Sequence, residues 1–277
     1  MNATGILFPQ TAKADAHATS TAAGVPATRV LGVPISTINM RVAVSTILDW
    51  VKHRDSQYIC VRDVHGIMRA QDDPALMSIH YGAGLITPDG MPLAWTLKAR
   101  GYSDAGRVCG ADLVAALCEA SVPEGTRHYL YGGKPGVAER MAAKLTETFP
   151  GLHIIGSSTP PFRPLTLEED EAVVAEIAAL QPDVVWIGLS TPKQEYWMRD
   201  HVGRIPGATL IGIGAAFDFY AGDVKRAPRW MHGSGLEWLH RLISEPRRLW
   251  RRYLVLAPKF VVLMARGKVQ AKRQVEP

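Results

Sequence analysis

The sequence lacks the short motifs that mark many metal, nucleotide and hydrolase sites. It has no Asp-x-Asp pair, no His-x-x-x-His and no Cys-x-x-Cys, so we expect neither a metal ion nor another cofactor. It also lacks the Gly-x-Gly-x-x-Gly fingerprint, the Walker A loop and the Gly-x-Ser-x-Gly nucleophile elbow. These absences argue against a dinucleotide-dependent reductase, a P-loop nucleotidase and an α/β-hydrolase.

Cysteines and long apolar runs are scarce as well. The three cysteines have no metal or redox spacing, which predicts buried, reduced side chains. No window of about 18 uninterrupted apolar residues exists, so we expect no segment to span a bilayer. Residues 1–28 are rich in Ala, Thr and Gly and lack the basic and apolar parts of a signal peptide, and we expect them to be disordered.

Charge is distributed unevenly along the chain. From Lys225 to the end, thirteen Lys and Arg residues stand against three acidic residues, although the net charge of the whole chain is only +5. The part before Lys225 is net acidic, with 18 basic and 23 acidic residues. A basic end on an acidic body predicts a local polyanionic partner, for which a membrane surface and a nucleic acid are the two candidates.

Strand-like and helix-like segments alternate from about residue 29 onward. This pattern predicts an α/β fold with a Rossmann-like, doubly wound, mostly parallel sheet and a C-terminal basic helical appendage. We expect the core to cover residues 29–234 and the amphipathic appendage to cover 235–277. The predicted strands are Val30–Ile35, Tyr58–Val64, Gly84–Thr87, Arg127–Tyr131, Leu152–Ser157, Asp183–Gly188 and Ala208–Gly212.

Three loops at predicted strand ends carry the residues best suited to binding or catalysis, because ligands of such sheets bind beyond the carboxyl ends of the strands. Asp89 is either a reactive carboxylate or only a turn and helix cap. The turn Gly132-Gly133-Lys134 suits a diphosphate, because backbone N–H groups and a helix N-terminus attract anions. The alternative is that its glycines only allow the backbone to form the turn. Lys193 and Gln194, in a third loop, are suited to meet phosphate or sugar hydroxyls.

The segment near residue 250 combines cationic and aromatic side chains. If this segment is a helix, residues four positions apart lie on the same side of it. Two such arginine pairs then lie next to each other along the helix, and an aromatic residue lies beside them. The residues are Arg247, Arg251, Arg248, Arg252 and Trp250. The pattern is typical of an amphipathic helix on an anionic membrane surface; the alternative is a helix packed on the body with its arginines in solvent. We expect no nucleic-acid partner, because the body is acidic and no nucleic-acid-binding signature is present.

Five stretches of the sequence together resemble a known family. They are TPDGMPLAW (87–95), GADL (110–113), YLYGGKPGVAE (129–139), PDVVWIGLSTPKQEYW (182–197) and GIGAAFDFYAGDVKRAPRWM…GLEWLHRLISEPRRLWRRYL (212–254). In these motifs, and in their order over residues 30–265, the sequence resembles the WecG/TagA/CpsF glycosyltransferases. The PKQE loop and the GLEW…EPRRLWRRY end are the most specific of the five.

The resemblance implies an inverting, metal-independent hexosyltransferase of bacterial surface polysaccharide synthesis. Such an enzyme takes a hexose or N-acetylhexosamine, of the ManNAc or glucose type, from a UDP-sugar donor. Its acceptor is a sugar linked to undecaprenyl diphosphate. The implied location is cytoplasmic and peripheral, on the inner face of the cell membrane, and whether the chain forms a homo-oligomer is left open.

The resemblance also implies roles for individual residues. Asp89 corresponds to the general base, Arg107 to a residue that steadies the diphosphate, and Gln194 to a sugar contact. The C-terminal arginines correspond to an appendage that reaches the membrane and closes over the site. Where the family usually has Thr-x-Asn, this chain has Val61-Arg62-Asp63, which predicts an altered sugar contact at Asp63.

Two other classes of function stay open from the sequence. One is another nucleotide-dependent α/β enzyme. The other is a non-catalytic adaptor that binds membranes through its basic end. The polar residues gathered in the predicted loops favour an enzyme over an adaptor.

Overall fold

A six-stranded parallel sheet forms the centre of the protein. The computed structural model describes residues 15–232 and 234–273, and its central strands are β4 (Tyr58–Arg62), β5 (Leu85–Pro88), β6 (Arg127–Gly132), β7 (His153–Ser158), β8 (Val184–Gly188) and β9 (Thr209–Gly212). Their spatial order is β5-β4-β9-β8-β6-β7, and every neighbouring pair is parallel. Each strand overlaps the segment predicted for it, so the α/β, Rossmann-like class is confirmed.

Helices flank this sheet and close a hydrophobic core on each face. Strand side chains alternate between the two cores: Tyr58 and Cys60 belong to one and Ile59 to the other. Asn39 caps the first helix, because its side-chain oxygen accepts a hydrogen bond from the Val42 backbone N–H at 3.1 Å. The helices up to residue 220 are α1 (Met40–His53), α2 (Val64–Gln71), α3 (Pro74–Gly82), α4 (Met91–Ala99), α5 (Gly110–Ser121), α6 (Val137–Thr148), α7 (Leu167–Ala179), α8 (Lys193–His201) and α9 (Ala216–Tyr220).

A second, antiparallel sheet was not predicted. It consists of β1 (Ala18–Ser20), β2 (Pro26–Val30) and β3 (Val33–Ser36), so the predicted disorder is wrong for residues 15–28; residues 1–14 lie outside the described residues. The single predicted strand Val30–Ile35 is instead a hairpin, turned by Leu31 and Gly32 at φ 48° and 87°. The Ser36 hydroxyl accepts a hydrogen bond from the Ile86 backbone N–H at 3.1 Å, which fastens this sheet beside β5.

The C-terminal segment is helical and packs against the body. It contains α10 (Glu237–Ser244), α11 (Pro246–Trp250), a π-helical turn (Arg251–Leu256) and α12 (Ala257–Arg273). The side chains of Leu249 and Phe260 are buried, and Phe260 joins one of the two cores. In the part of the chain that the structure describes, no helix combines the length and apolarity that crossing a membrane requires.

Candidate active site

A cavity of about 950 Å³ opens at the carboxyl edge of the central strands. The loops that follow β4, β5, β8 and β9 form its floor, and residues of α10, α11 and the π-helical turn line its other side. Ligands of doubly wound sheets bind at this edge. The volume lies at the upper end of the roughly 300–1,000 Å³ that ligand pockets span, which suits a ligand as large as a nucleotide sugar.

Asp89 follows β5 and lines this cavity. Its backbone N–H donates to the carbonyl of Arg62 at 2.7 Å, which ties the turn after β5 to the neighbouring strand. The carboxyl group is largely buried, and this burial, together with the nearby charge of Asp63, raises the pKa of Asp89 to about 6. A carboxylate with a pKa near 6 is ionised at neutral pH and is still basic enough to accept a proton, as a general base must.

Three arginines surround Asp89. Arg107 donates from Nε to the backbone carbonyl of Asp89 at 2.8 Å and forms an ion pair with Glu237 at 2.6 Å. The charges of Arg107, Arg252 and Arg241 oppose the rise in the pKa of Asp89. The large cavity as a whole is lined by seven arginines and four carboxylates, so its field favours an anionic ligand such as a diphosphate.

Asp63 joins the end of β4 to the C-terminal segment. One carboxylate oxygen caps α2 by accepting from the Gly66 backbone N–H at 3.0 Å, and the other forms an ion pair with Arg252. Although burial acts to raise it, the Arg252 charge holds the pKa of Asp63 well below its usual range. Val61 and Asp63 both line the cavity, whereas the intervening Arg62 points to the opposite face of the sheet, as alternation along a strand requires.

Arg62 belongs to a buried chain of polar groups that ends at Gln194. Its guanidinium forms an ion pair with Glu195, both side chains being at most 1% exposed, and Glu195 accepts from Nε2 of Gln194 at 2.8 Å. The Gln194 amide is thereby fixed in orientation, and its Oε1 has no hydrogen-bond partner among the described residues although Gln194 is only 3% exposed. A Cβ on Gly212 would lie 2.9 Å from Gln194 Nε2, so this glycine makes room for the amide. Gln194 thus presents a free acceptor at the cavity wall.

The family model for the glycosyl transferase WecG/TagA/CpsF family matches residues 28–274. The chain belongs to this family. The matched range contains the described residues that line the cavity, from Val61 to Leu256, so the cavity lies within the part of the chain that the family model matches.

The structure brings together some of the predicted residues of this WecG/TagA/CpsF chain and separates others. Asp63, Asp89, Arg107 and Gln194 line the large cavity, and so do four of the five C-terminal residues, Arg248, Trp250, Arg251 and Arg252. Arg247 is exposed and lies outside the lining. The grouping of Asp89 with Arg107 and Arg252 therefore rests on contacts between distant parts of the sequence.

The turn Gly132-Gly133-Lys134 and Lys193 are not among the described residues that line the cavity. The turn follows β6, one strand beyond β8 in the sheet, and its glycines let two strand ends approach closely. The Gly133 N–H donates to the Gly188 carbonyl at 3.0 Å, and a Cβ on Gly132 would lie 2.7 Å from the Gly188 backbone. Lys193 instead lies 4.8 Å over the Phe162 ring. Packing therefore requires glycine at positions 132 and 133, and a role of the turn in binding a diphosphate stays a prediction.

Several lining residues were not predicted. Glu237 and Arg241 come from α10, and Arg226 comes from the loop between α9 and α10. Charged residues spaced along a predicted surface helix usually indicate a solvated face, but here Glu237 pairs with Arg107 and Arg241 lies over the Phe219 ring, so both face inward. In the described parts of the chain, no three His, Cys, Asp or Glu side chains cluster as metal ligands do.

A second cavity of about 260 Å³ shares a wall with the first. Its own walls come from the start of α4 and from the C-terminal segment of this WecG/TagA/CpsF chain. The residues that line both cavities are Asp63, His65, Asp89, Arg107, Glu237, Arg241 and Arg252. Asp89 is therefore accessible from two chambers of very different size.

Proposed function

We propose that the protein is an inverting, metal-independent glycosyltransferase of bacterial surface polysaccharide synthesis. It moves a hexose or N-acetylhexosamine, of the ManNAc or glucose type, from a UDP-sugar to a sugar linked to undecaprenyl diphosphate. Membership of the WecG/TagA/CpsF family supports the transferase class and the polysaccharide role. The identities of the donor and the acceptor are our inference.

One observation carries the proposal. Asp89, with a pKa raised to about 6, lines a cavity in which arginines outnumber carboxylates by seven to four. A glycosyl transfer from a nucleotide sugar needs a base for the acceptor hydroxyl and cationic groups for the diphosphate that leaves. Both requirements are met by side chains that face the same space.

The proposed step is a single displacement. The acceptor hydroxyl transfers its proton to the Asp89 carboxylate while its oxygen forms a bond to the anomeric carbon of the donor. The bond from that carbon to UDP breaks, and its electron pair leaves with the diphosphate. Arg107, Arg241 and Arg252 stabilise the charge that develops there, and Gln194 accepts a hydrogen bond from a sugar hydroxyl through its free Oε1.

We also propose that the enzyme works at the inner face of the cell membrane. Large apolar side chains are exposed along the C-terminal segment, among them Trp238, Ile243 and Leu254. Exposed arginines and lysines lie between them, including Arg247 and Lys259. Aromatic residues at the level of the headgroups and cations on anionic lipid would together give reversible attachment.

The decisive experiment offers a panel of UDP-sugars to undecaprenyl-diphosphate-linked sugars and identifies the products by mass spectrometry. We expect one donor to be transferred, with inversion at the anomeric carbon and with the same rate after treatment with EDTA. Thermal-shift measurements should show stabilisation by UDP and none by NAD, because only a ligand of the native state raises its melting temperature. Transfer to no member of the panel, or stabilisation by NAD alone, would remove the proposal.

A further inference from the structure

The smaller cavity differs in character from the larger one. Beyond the wall that the two share, it is lined mostly by apolar and aromatic side chains, including Met91, Trp238, Tyr253 and Ala257. The rings of Trp238 and Tyr253 lie 5.7 Å apart between centroids and are tilted by 48°. Burial raises the pKa of Tyr253, so its phenol stays neutral and can donate a hydrogen bond from a largely apolar wall.

The size of this cavity limits what it can hold. Ligand pockets for drug-sized molecules measure roughly 300–1,000 Å³, and this one measures about 260 Å³, while its neighbour measures about 950 Å³. The smaller chamber therefore suits one sugar ring, whereas a nucleotide sugar fits only the larger one. Aromatic walls with a few polar groups match a sugar ring, which has apolar C–H faces and polar edges.

The position of Asp89 relates the two chambers to the reaction. A transfer with inversion requires the attacking hydroxyl and the leaving diphosphate to approach the anomeric carbon from opposite sides. Because Asp89 lines both cavities, a hydroxyl held in the smaller one can reach this carboxylate while the diphosphate occupies the larger one. The Asp89 carboxylate is then within reach of an acceptor in the smaller cavity and of a donor in the larger one.

The aromatic surface continues from this chamber to the exterior. Gly235 lines the smaller cavity, and a Cβ at this position would lie 2.7 Å from the ring of Trp95. Trp95 itself is 52% exposed and Trp238 is 40% exposed. An acceptor whose sugar sits in the chamber would thus leave it across Trp rings, which favour the boundary between water and lipid.

We infer that the smaller cavity is the acceptor subsite, which binds the sugar of a lipid-linked glycosyl diphosphate and directs its hydroxyl to Asp89. This assignment rests on the proposed function and adds the residues that recognise the second substrate. Trp238, Tyr253 and Met91 hold the ring, and Trp95 supports the lipid-linked part outside. The bond formed and the bond broken are those of the displacement described above.

The test separates the affinity for the acceptor from the affinity for the donor. Trp238→Ala removes an aromatic wall, and Ala257→Trp fills the chamber from a residue that does not line the larger cavity. With the full-length enzyme in detergent and a short-chain lipid glycosyl diphosphate as acceptor, we expect both changes to raise the acceptor KM by about tenfold or more. The donor KM and the affinity for UDP should stay within about twofold of the wild-type values.

The matched control is Trp230→Ala. Trp230 precedes the same C-terminal segment, is 71% exposed and lines neither cavity, so its removal should leave both KM values unchanged. If the wild-type enzyme transfers sugar but Trp238→Ala and Ala257→Trp keep the wild-type acceptor KM, or raise the donor KM equally, the subsite assignment is wrong and the proposed function stands. A wild-type enzyme that uses no glycosyl diphosphate overturns both.

Discussion

Asp63 and Arg252 are separated by 189 positions in the sequence, and they form an ion pair that lines both cavities. The pair fastens the π-helical turn of the C-terminal segment to the end of β4. It also lies beside Asp89, whose pKa is raised by the charge of Asp63 and lowered by the charge of Arg252. The two partners therefore act in opposite directions on the proposed base.

Removing the charge of Asp63 and removing the charge of Arg252 should move the acidic limb of the pH–rate profile in opposite directions. Asp89 is active when ionised, so kcat/KM of the wild-type enzyme should rise with pH through about 6 and then level off. Asp63→Asn removes a negative charge, lowers the pKa of Asp89 and should move the limb to lower pH. Arg252→Gln removes a positive charge and should move the limb to higher pH.

Both shifts can be separated from simple damage to the fold. Asn is as good a helix cap as Asp, so Asp63→Asn keeps α2 intact. The control is Asp73→Asn, since Asp73 caps α3 in the same way, with a 3.0 Å bond from the Leu76 N–H, but lines neither cavity. A limb that moves in the same direction for both partners would exclude their electrostatic influence on Asp89.

Loss of the carboxylate at position 89 should abolish most of the turnover. Asp89→Asn keeps the shape of the side chain and removes the base, so we expect kcat to fall by roughly 10²–10⁴-fold. The affinity for UDP, measured by calorimetry, should not fall, because the arginines of the large cavity remain. Turnover near the wild-type value would show that another group accepts the proton.

The same substitution should make the fold more stable at high pH. The pKa of Asp89 is about 6 in the folded protein and 3.8 in an unfolded chain, so ionising the group costs folding free energy as pH rises between these values. The cost persists above pH 6 and is absent below about pH 4. Asp89→Asn should therefore gain on the order of 3 kcal/mol at pH 8 and nothing at pH 4, measured by urea unfolding. An equal gain at both pH values would point to packing instead of charge.

The central sheet could be predicted from the sequence because its strands are short, apolar and bounded by turn residues. The strand Val184–Gly188 is buried up to Ile187 and Thr209–Gly212 is buried along its length, and such strands form continuous hydrophobic runs in the sequence. The antiparallel sheet could not be predicted, since Ala18–Ser20 has little apolar surface of its own and is ordered by pairing with β2. The residues of Ala18–Ser20 alone do not indicate that pairing.

The active site was predictable only in part, for a similar reason. Asp89 directly follows β5 and Gln194 lies in the first turn of α8, beyond the carboxyl ends of the strands, where a general rule for α/β sheets places ligands, and the family motifs mark the same positions. The Gly132-Gly133-Lys134 turn obeys the same rule, yet it follows β6, which three strands separate from β5, and its glycines pack closely against Gly188 and Val137. Arg241 and Glu237 were not predicted as site residues, because the sequence does not show which loop α10 packs against.

The buried pair of Arg62 and Glu195 should show strong coupling in a double-mutant cycle. Removing one partner leaves a charge in the core without its counter-ion, so Arg62→Met and Glu195→Leu should each cost about 3–5 kcal/mol of unfolding free energy. The double variant should cost less than either single one, because no uncompensated charge remains. Additive losses in urea unfolding would mean that the two groups are stabilised independently.

Attachment to anionic membranes should depend on exposed cations of the C-terminal segment. Changing Arg247, Lys259 and Arg266 together to Gln should weaken binding to phosphatidylglycerol vesicles by about 100-fold, at about 1 kcal/mol for each charge. Sedimentation with these vesicles, and with neutral phosphatidylcholine vesicles, measures the effect. The matched control changes three exposed cations of the body to Gln, namely Arg41, Lys52 and Lys144. Equal losses from both triple variants would reject the membrane role of this segment.

The packing of the C-terminal segment over the sheet also sets the order in which the cavity is assembled. Asp89 follows a strand of the sheet, whereas Arg241 and Arg252 belong to a segment that comes after the last strand along the chain. Because N-terminal parts of a chain emerge first during synthesis, the sheet can form while the cationic wall is still missing. The proposed base and the arginines proposed to stabilise the leaving diphosphate therefore come together only after the C-terminal segment has packed.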